Sequence, residues 1–199
     1  MMYDRKPIYA AFHASAGGWT AGNEEAGSDP VPYLKSVRDE STYGTAHHWQ
    51  VAVSAAEVCA KLRAEGVDIG VLKRVELSPL VEGTRKETAD RYVSGRVNTV
   101  RFVGTLHTAD LSGTELRWLF GLPGTRFDLR YQKGRTNTPN REGTIEFHGQ
   151  PSESLLFDGW GRGHGLGMSQ WGAYALAAKK DYRAILHHYY TNVEIVKVF

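Results

Sequence analysis

Three side chains near the end of the sequence, His164, Ser169 and Gln170, could do chemistry. A serine nucleophile needs a base and an oxyanion hole, but the residues around Ser169 do not form the G-x-S-x-G pattern. Ser169 is better explained as the N-cap of a helix. The amide of Gln170 can donate to and accept from a sugar hydroxyl or an N-acetyl group at the same time. For His164, a functional role and a surface role both remain open.

These residues belong to a glycine-rich stretch, Asp158 to Lys180, in which glycine occupies every second position from Gly159 through Gly167. In an extended chain, successive side chains point to opposite faces. One face would then be bare backbone, on which a ligand or another chain can lie directly. The sequence therefore predicts an extended ribbon that forms the floor of a binding cleft and leads into a helix over Trp171 to Lys179. The larger side chains of its other face are Trp160, Arg162, His164, Leu166 and Met168.

Nucleotide and metal sites are not indicated. Neither G-x-G-x-x-G nor G-x-x-x-x-G-K-[ST] occurs in the ribbon. Eight histidines are present, but two adjacent pairs cannot converge on one ligand position in a helix, and no H-E-x-x-H motif occurs. We therefore expect no cofactor. The pairs are His47–His48 and His187–His188, and the scattered histidines are His13, His107, His148 and His164.

No carboxylate stands out as a catalytic acid, although cleavage of a glycan needs at least one. Glu24 and Glu25 lie in a loop rich in Gly, Ser and Asn, and Asp158 precedes the ribbon. Each is better explained as a solvated loop charge or a turn former.

The composition narrows the class of protein. A length of 199 residues with 41% apolar residues supports a packed core, and 24 basic against 22 acidic residues give a formal charge of +2. This balance does not indicate a nucleic-acid partner. The single cysteine, Cys59, excludes an internal disulfide and is expected to be a buried thiol in a helix. No apolar run approaches the length of a membrane span, and the first residues lack the apolar region of a secretion signal.

Helices and strands are predicted along the whole chain. Capping boxes at Ser54-Ala-Ala-Glu57 and Ser112-Gly-Thr-Glu115 each begin a helix, and Asp181 caps a last helix over Tyr182 to Tyr190. Hairpin signals outnumber alternating strand and helix patterns, which favours an α+β fold with mostly antiparallel sheet and a few short helices. Between the strands, Tyr33, Leu34 and Val37 are expected to anchor a loop. The predicted strands cover Pro7–Ser15, His48–Val53, Val71–Leu80, Arg91–Thr105, Phe127–Gln132, Thr144–His148, Ser154–Phe157 and Val193–Val198.

Three blocks of the sequence resemble the SpoIID/LytB family, which comprises stage II sporulation protein D and the amidase-enhancer proteins. Residues 6–40 contain FHASAGGWT and PYLKSV, like the family patterns F-H-S-x-S-G-G-x-T and P-Y-L-x-S-V. Residues 104–129 contain SGTELRWLFGL, and residues 159–195 contain GWGRGHGLGMSQWGA followed by YRAILHHYY. Because the blocks cover nearly the whole chain, we predict one SpoIID/LytB-like domain over residues 1–199.

The resemblance implies peptidoglycan as substrate. Sporulation members of the family are lytic transglycosylases that cut glycan strands already stripped of stem peptides, and one glutamate serves as general acid and then base. In the family, that glutamate lies near an A-Q-A-x-A-A-R-T-Y segment that precedes the F-H-S-x-S-G-G block. The segment does not occur here, so we expect an N-terminally truncated member without the catalytic glutamate. Some members bind zinc through cysteines beside the histidine that matches His13. No cysteine lies near His13 here, and we expect no zinc.

The resemblance also implies a site for a glycan strand, with the possibility of a role in sporulation and engulfment. Gln170, His164 and Ser169 would form its floor, and Trp160 or Trp19 would stack on sugar rings. The alternative is a binding module without cleavage that enhances a cell-wall amidase. Expected partners are glycan strands and an amidase or other sporulation cell-wall hydrolase, at an extracytoplasmic, cell-envelope location. The predicted wall residues are His13, Ser15, Gly17, Gly18 and Thr20.

Overall fold

The computed structural model describes residues 1–40, 47–81 and 85–197 and has the predicted α+β fold. The helices are α1 (Ala55–Ala64), α2 (Gly113–Phe120), α3 (Gln170–Ala177) and α4 (Tyr182–Tyr189), with a short 3₁₀ helix at Asn23–Ala26. The strands are β1 (Met2–Tyr3), β2 (Lys6–Pro7), β3 (Phe12–His13), β4 (His48–Ser54), β5 (Leu72–Glu76), β6 (Thr99–Gly104), β7 (Thr108–Ser112), β8 (Phe127–Lys133), β9 (Thr136–Pro139), β10 (Thr144–Glu146), β11 (Glu153–Trp160) and β12 (Met168–Ser169).

The chain divides into two compact units. The central unit covers residues 49–159, and the terminal unit joins residues 1–48 to residues 160–199. Because two such units are compatible with one domain or with two, the single domain over residues 1–199 stays a prediction.

The central unit is built on two four-stranded sheets, with strand orders β10-β5-β6-β7 and β4-β11-β8-β9. The pairs β10–β5, β5–β6, β6–β7, β11–β8 and β8–β9 are antiparallel. In β6, Val100 and Phe102 are fully buried while Arg101 between them is exposed. This alternation places one face of the strand against the core, as expected for a half-buried antiparallel strand.

Both predicted capped helices form in the central unit. The Ser54 hydroxyl accepts a hydrogen bond of 3.1 Å from the Glu57 amide at the start of α1. At α2 the box is reciprocal: Ser112 accepts from the Glu115 amide at 3.2 Å, and the Glu115 carboxylate accepts from the Ser112 amide at 2.7 Å. These bonds satisfy amides that a helix leaves unpaired at its first turn. Cys59 is a free thiol on α1, half-buried against the core.

One sequence interpretation in the central unit is wrong. Asp158 is not a solvated loop charge, because it lies inside β11 and is 1% exposed. Its carboxylate contacts Arg130 Nε at 2.6 Å and accepts a hydrogen bond of 3.1 Å from Gln50 Nε2. Burying a carboxylate requires such partners, so its role here is to join strands of the sheet.

The terminal unit has a small core of its own between α3, α4 and the loop that follows the 3₁₀ helix. Leu34 is buried in it, with Tyr33 and Val37 packed against it, which confirms the predicted anchors. The Tyr189 hydroxyl donates a 2.7 Å hydrogen bond to the buried carboxylate of Asp39. The remaining buried members are Leu176, Ile185, Tyr189, Tyr190 and Val193.

Three predicted strands are shorter than expected. The segment over Pro7–Ser15 holds only the end of β2 and the two residues of β3, and Tyr9 and Phe12 are exposed rather than buried. In the hairpin predicted over Arg91–Thr105, only β6 is a strand, and Arg91 and Val97 form an isolated bridge around a turn at Gly95. For Val193–Val198, Glu194 alone bridges to Met2, and Val198 lies outside the described residues. The other strand predictions are matched by β4, β5, β8, β10 and β11 within a few residues.

Candidate functional site

The glycine-rich ribbon is not an extended strand. β11 ends at Trp160, and Gly161, Gly163, Gly165 and Gly167 then have φ angles of 81°, 105°, 85° and 67°. Positive φ is strained for residues with a Cβ, and glycine adopts it at no steric cost. The alternating glycines therefore encode a repeated backbone reversal, and the prediction of an extended ribbon with one bare face is wrong.

The chain itself covers the backbone that was predicted to be bare. Segment 11–21 runs along the ribbon and pairs with it at several points. Ser15 N donates to Arg162 O at 3.1 Å, and Arg162 N donates to Ser15 O at 2.8 Å. Further along, Ala21 N donates to Gly165 O at 2.9 Å, and β3 pairs in parallel with β12. The first and last blocks of the sequence thus form one surface in the terminal unit.

Glycine is required at these crossings because the two backbones nearly touch. A Cβ built on Gly161 would lie 2.6 Å from Ser15 O, and one built on Gly17 would lie 2.5 Å from the carbonyl carbon of Trp160. A Cβ on Gly163 would lie 2.9 Å from the Cβ of His13. These glycines hold the two segments together, so Gly17 serves this packing whatever its part in binding.

Two predicted site residues, His13 and His164, are brought into ring contact. Their centroids lie 5.6 Å apart with an interplanar angle of 60°. His13 is buried and its Nδ1 lies 3.0 Å from Leu166 O, whereas His164 is exposed and its Nδ1 accepts from Leu166 N at 3.0 Å. A carbonyl only accepts and an amide only donates, so the proton of His13 is on Nδ1 and that of a neutral His164 is on Nε2.

Exposed polar side chains follow the ribbon beside these histidines. Arg162, His164 and Gln170 are exposed, and Trp160 is half-buried with its ring 5.5 Å from that of His48. We call Trp160, Arg162, His164 and Gln170 the exposed row. The row combines an aromatic ring with hydrogen-bonding groups. A ligand whose ring has polar groups around its edge and apolar faces requires both.

Other predicted site residues are buried and have structural hydrogen bonds. Thr20 is 1% exposed, and its hydroxyl oxygen accepts from Val37 N at 2.8 Å. Ser169 is fully buried, and its hydroxyl caps α3 by accepting from Gly172 N at 3.1 Å, as predicted. Ser15 is also buried, and the carbonyl of Gly18 accepts from Asp39 N at 2.9 Å. Their predicted contact with a ligand is not tested by this geometry and stays a prediction.

Two aromatic residues that no sequence motif marks, Trp171 and Tyr174, extend the row along α3. Trp171 follows Gln170, and its amide donates to Ala14 O at 3.1 Å, which fixes the start of the helix beside segment 11–21. Tyr174 is 71% exposed, and its ring lies 5.8 Å from that of Trp171. Tyr174 comes four residues after Gln170, and residues with that spacing lie on the same face of a helix. The spacing in the sequence could therefore have indicated that Tyr174 extends the row.

Glu24 and Glu25 lie on the 3₁₀ helix, Glu24 exposed and Glu25 half-buried. The carboxylate of Glu24 lies over Gly22, where a Cβ would be 2.7 Å from Glu24 Cδ. Among the residues that the structure describes, no three His, Cys, Asp or Glu side chains are grouped to hold a metal ion. Within the same part of the chain, no helix is both long and apolar enough to cross a bilayer.

Fold and site together define an α+β protein in which two segments distant in the sequence pair through their backbones and carry exposed polar and aromatic side chains. No family model matches the chain. Stage II sporulation protein D of Bacillus amyloliquefaciens is 25% identical over 98% of the chain and 47% of its own length. The amidase enhancer of Bacillus subtilis is 26% identical over 98% of the chain and 30% of its own length. An uncharacterized protein of Brachyspira hyodysenteriae is 29% identical over 98% of the chain and 45% of its own length.

The chain is therefore related to the SpoIID/LytB family, as its three sequence blocks predict. It spans about half the length, or less, of the curated relatives it matches. The interlocked segments of the terminal unit lie in the first and third of those blocks, and α2 lies in the second.

Proposed function

We propose that this protein binds the glycan strands of peptidoglycan through the exposed row of its terminal unit. The observation that carries the proposal is the row itself: Arg162, His164 and Gln170 are exposed and Trp160 is half-buried, on a stretch of backbone that pairs with segment 11–21. Sugars are bound by hydrogen bonds to their hydroxyl and N-acetyl groups and by aromatic contact with their ring faces. A rigid backbone lowers the entropy cost of presenting such groups.

The named relatives support a role in the cell envelope. One is called stage II sporulation protein D and another amidase enhancer, and both match 98% of the chain. The proposed role is therefore cell-wall remodelling, with strands stripped of stem peptides as the ligand of a lytic transglycosylase-like domain. The partner would be a cell-wall amidase or another hydrolase of the same polymer.

The proposal assigns binding, and not cleavage, to the described surface. Cleavage of a glycosidic bond needs a carboxylic acid as proton donor, and the exposed row contains none. Glu24 and Glu25 lie on the 3₁₀ helix that follows segment 11–21 in the sequence. Removing both is the direct way to test a catalytic role for them.

Calorimetric titration with purified strands, together with mass spectrometry of the products, tests this proposal. We expect saturable binding of strands without stem peptides, no binding of dextran, and no anhydro-muramic ends after long incubation. Failure to bind any strand would refute the proposal. Release of anhydro ends that stops in a Glu24→Gln, Glu25→Gln double variant would instead show that this chain cuts the strand.

A second candidate, enhancement of an amidase, is favoured by the match to the amidase enhancer of Bacillus subtilis. It predicts that the chain raises the rate at which a cell-wall amidase releases stem peptides from intact sacculi. The measurement is amidase activity at increasing concentrations of the chain, with albumin as control. Stimulation without anhydro products supports the enhancer role, and an unchanged amidase rate excludes it for the amidase used.

A further inference from the structure

The guanidinium of Arg162 is exposed and carries a charge that no carboxylate of the described residues neutralises, a state it shares with Arg5, Arg135 and Arg141. Within the described part of the chain, the Arg162 guanidinium forms no hydrogen bond or ion pair, and the residue is exposed. By contrast, five arginines of the central unit each have a carboxylate within salt-bridge distance. The pairs are Arg63–Asp68, Arg74–Glu76, Arg91–Asp128, Arg101–Asp110 and Arg130–Asp158.

The backbone of Arg162 is nevertheless among the most constrained in the ribbon. Its amide and carbonyl both bond to Ser15, and glycines with φ of 81° and 105° lie on either side. Neither glycine can be replaced without a clash against segment 11–21, as the Cβ positions at Gly161 and Gly163 show. A fixed backbone removes the cost of ordering the main chain when an anion binds, so only the side chain of Arg162 remains to be ordered.

The neighbouring groups of the exposed row also favour an anion. The Nδ1 of His164 accepts from Leu166 N, so its Nε2 carries the proton and is a hydrogen-bond donor. Gln170 adds an exposed amide. None of the four side chains in the row is a carboxylate, so the row contains no group that would repel a negative ligand.

We propose that Arg162 binds the carboxylate of muramic acid and so selects glycan strands from which the stem peptide has been removed. This inference rests on the proposed function. In the intact polymer, the lactyl carboxyl group of muramic acid is bonded to the stem peptide as an amide. Removing the peptide leaves a carboxylate at that place, and a guanidinium binds a carboxylate through two parallel N–H···O hydrogen bonds.

The test compares three ligands on the wild-type protein and on Arg162→Gln. The ligands are strands without stem peptides, the same strands with their carboxylates converted to methylamides, and chito-oligosaccharides, which lack the lactyl group. We expect the wild type to bind the carboxylate form about ten-fold more tightly than the methylamide form. A difference of this size corresponds to the contribution of one hydrogen bond to a charged group. Arg162→Gln should lose this preference and bind the carboxylate and methylamide forms with equal affinity. Arg162→Lys should retain part of it, because it keeps the charge without the paired donors.

The matched control is Arg5→Gln, which removes the same charge from an exposed arginine in the turn between β1 and β2. It should leave all three affinities unchanged. Equal wild-type affinity for the carboxylate and methylamide forms would overturn the inference while leaving strand binding intact. An Arg162→Gln variant that weakens all three ligands equally would overturn it too, since Arg162 would then only maintain the surface. If the wild type binds no ligand, the proposed function fails and this inference fails with it.

Discussion

The imidazole rings of His13 and His164 are both oriented by one residue, Leu166. The carbonyl of Leu166 lies 3.0 Å from Nδ1 of His13, and its amide donates to Nδ1 of His164 at 3.0 Å. The two rings therefore have opposite tautomers when neutral, with the proton on Nδ1 in His13 and on Nε2 in His164. Leu166 thus determines which ring nitrogen of each histidine can donate a hydrogen bond. The two rings are in contact, with His13 buried and His164 exposed.

This arrangement predicts different outcomes for two replacements of His164. The carboxamide oxygen of asparagine can occupy the place of Nδ1 and keep the hydrogen bond to Leu166, whereas that of glutamine reaches the place of Nε2. We expect His164→Asn to keep the thermal stability and lose glycan affinity. His164→Gln should lose about 1 kcal/mol of unfolding free energy with a smaller loss of affinity. Urea denaturation and strand titration measure the two effects, and identical behaviour of the variants would contradict the assigned tautomer.

Local signals were enough to predict where the capped helices begin. Ser112 and Glu115 are three residues apart, and the box they form depends on nothing outside the first turn of α2. The same holds for Ser54 at α1 and Asp181 at α4, whose side chain accepts from Ala184 N at 2.8 Å. Such caps act within one turn, so their partners can be found in the sequence alone.

The conformation of the ribbon could not be predicted in this way. Alternating glycines fit an extended strand as well as a chain of positive φ angles, and only the partner segment decides between them. That partner is remote: His13 and Leu166, which contact each other, are 153 residues apart in the sequence. Asp158 was misjudged for the same reason, because its partner Arg130 comes from a different strand.

The close approach at Gly161 predicts a stability loss larger than backbone conformation alone explains. Alanine at φ of 81° is strained, and its Cβ would also meet Ser15 O at 2.6 Å. Gly134 is the control, because it has φ of 58° and no atom within 4 Å of the position of a Cβ. We expect Gly134→Ala to cost about 1–2 kcal/mol and Gly161→Ala clearly more. Thermal and urea unfolding measure the stability loss of each variant. Equal losses for Gly161→Ala and Gly134→Ala would show that the backbones at Gly161 and Ser15 move apart to accommodate the Cβ.

Ser169 and Gln170 are neighbours with separate roles, and single alanine variants should distinguish them. Ser169 is buried and caps α3, so Ser169→Ala should lower the unfolding free energy by about 0.5–2 kcal/mol. Gln170 is exposed at the first turn, so Gln170→Ala should weaken strand binding with an unchanged melting temperature. A fall in melting temperature for Gln170→Ala would show that the residue is structural and would remove it from the exposed row.

Glu153 in the central unit predicts a specific acid dependence of stability. Its carboxylate is fully buried and accepts hydrogen bonds from the amides of His148 and Gln150 and from the Tyr131 hydroxyl. Burial raises the pKa of this carboxyl, but these donors outweigh the effect and hold the pKa at about 2. An unfolded glutamate has a pKa of about 4.3. Because the folded pKa is the lower one, the stabilisation is fully present above about pH 5 and is lost as the pH falls through 2.

The Glu153→Gln variant should remove this dependence. At pH 7 we expect it to be less stable than the wild type by about 1–3 kcal/mol, since buried donors lose a charged acceptor. As the pH falls from about 5 to about 2, the difference should shrink, because the unfolded wild-type chain gains a proton that the folded form resists. Urea midpoints at several pH values measure both effects. Glu146→Gln, at an exposed position in β10, is the control and should follow the wild type. A difference between Glu153→Gln and wild type that stays constant with pH would show that the carboxylate does not titrate differently on folding.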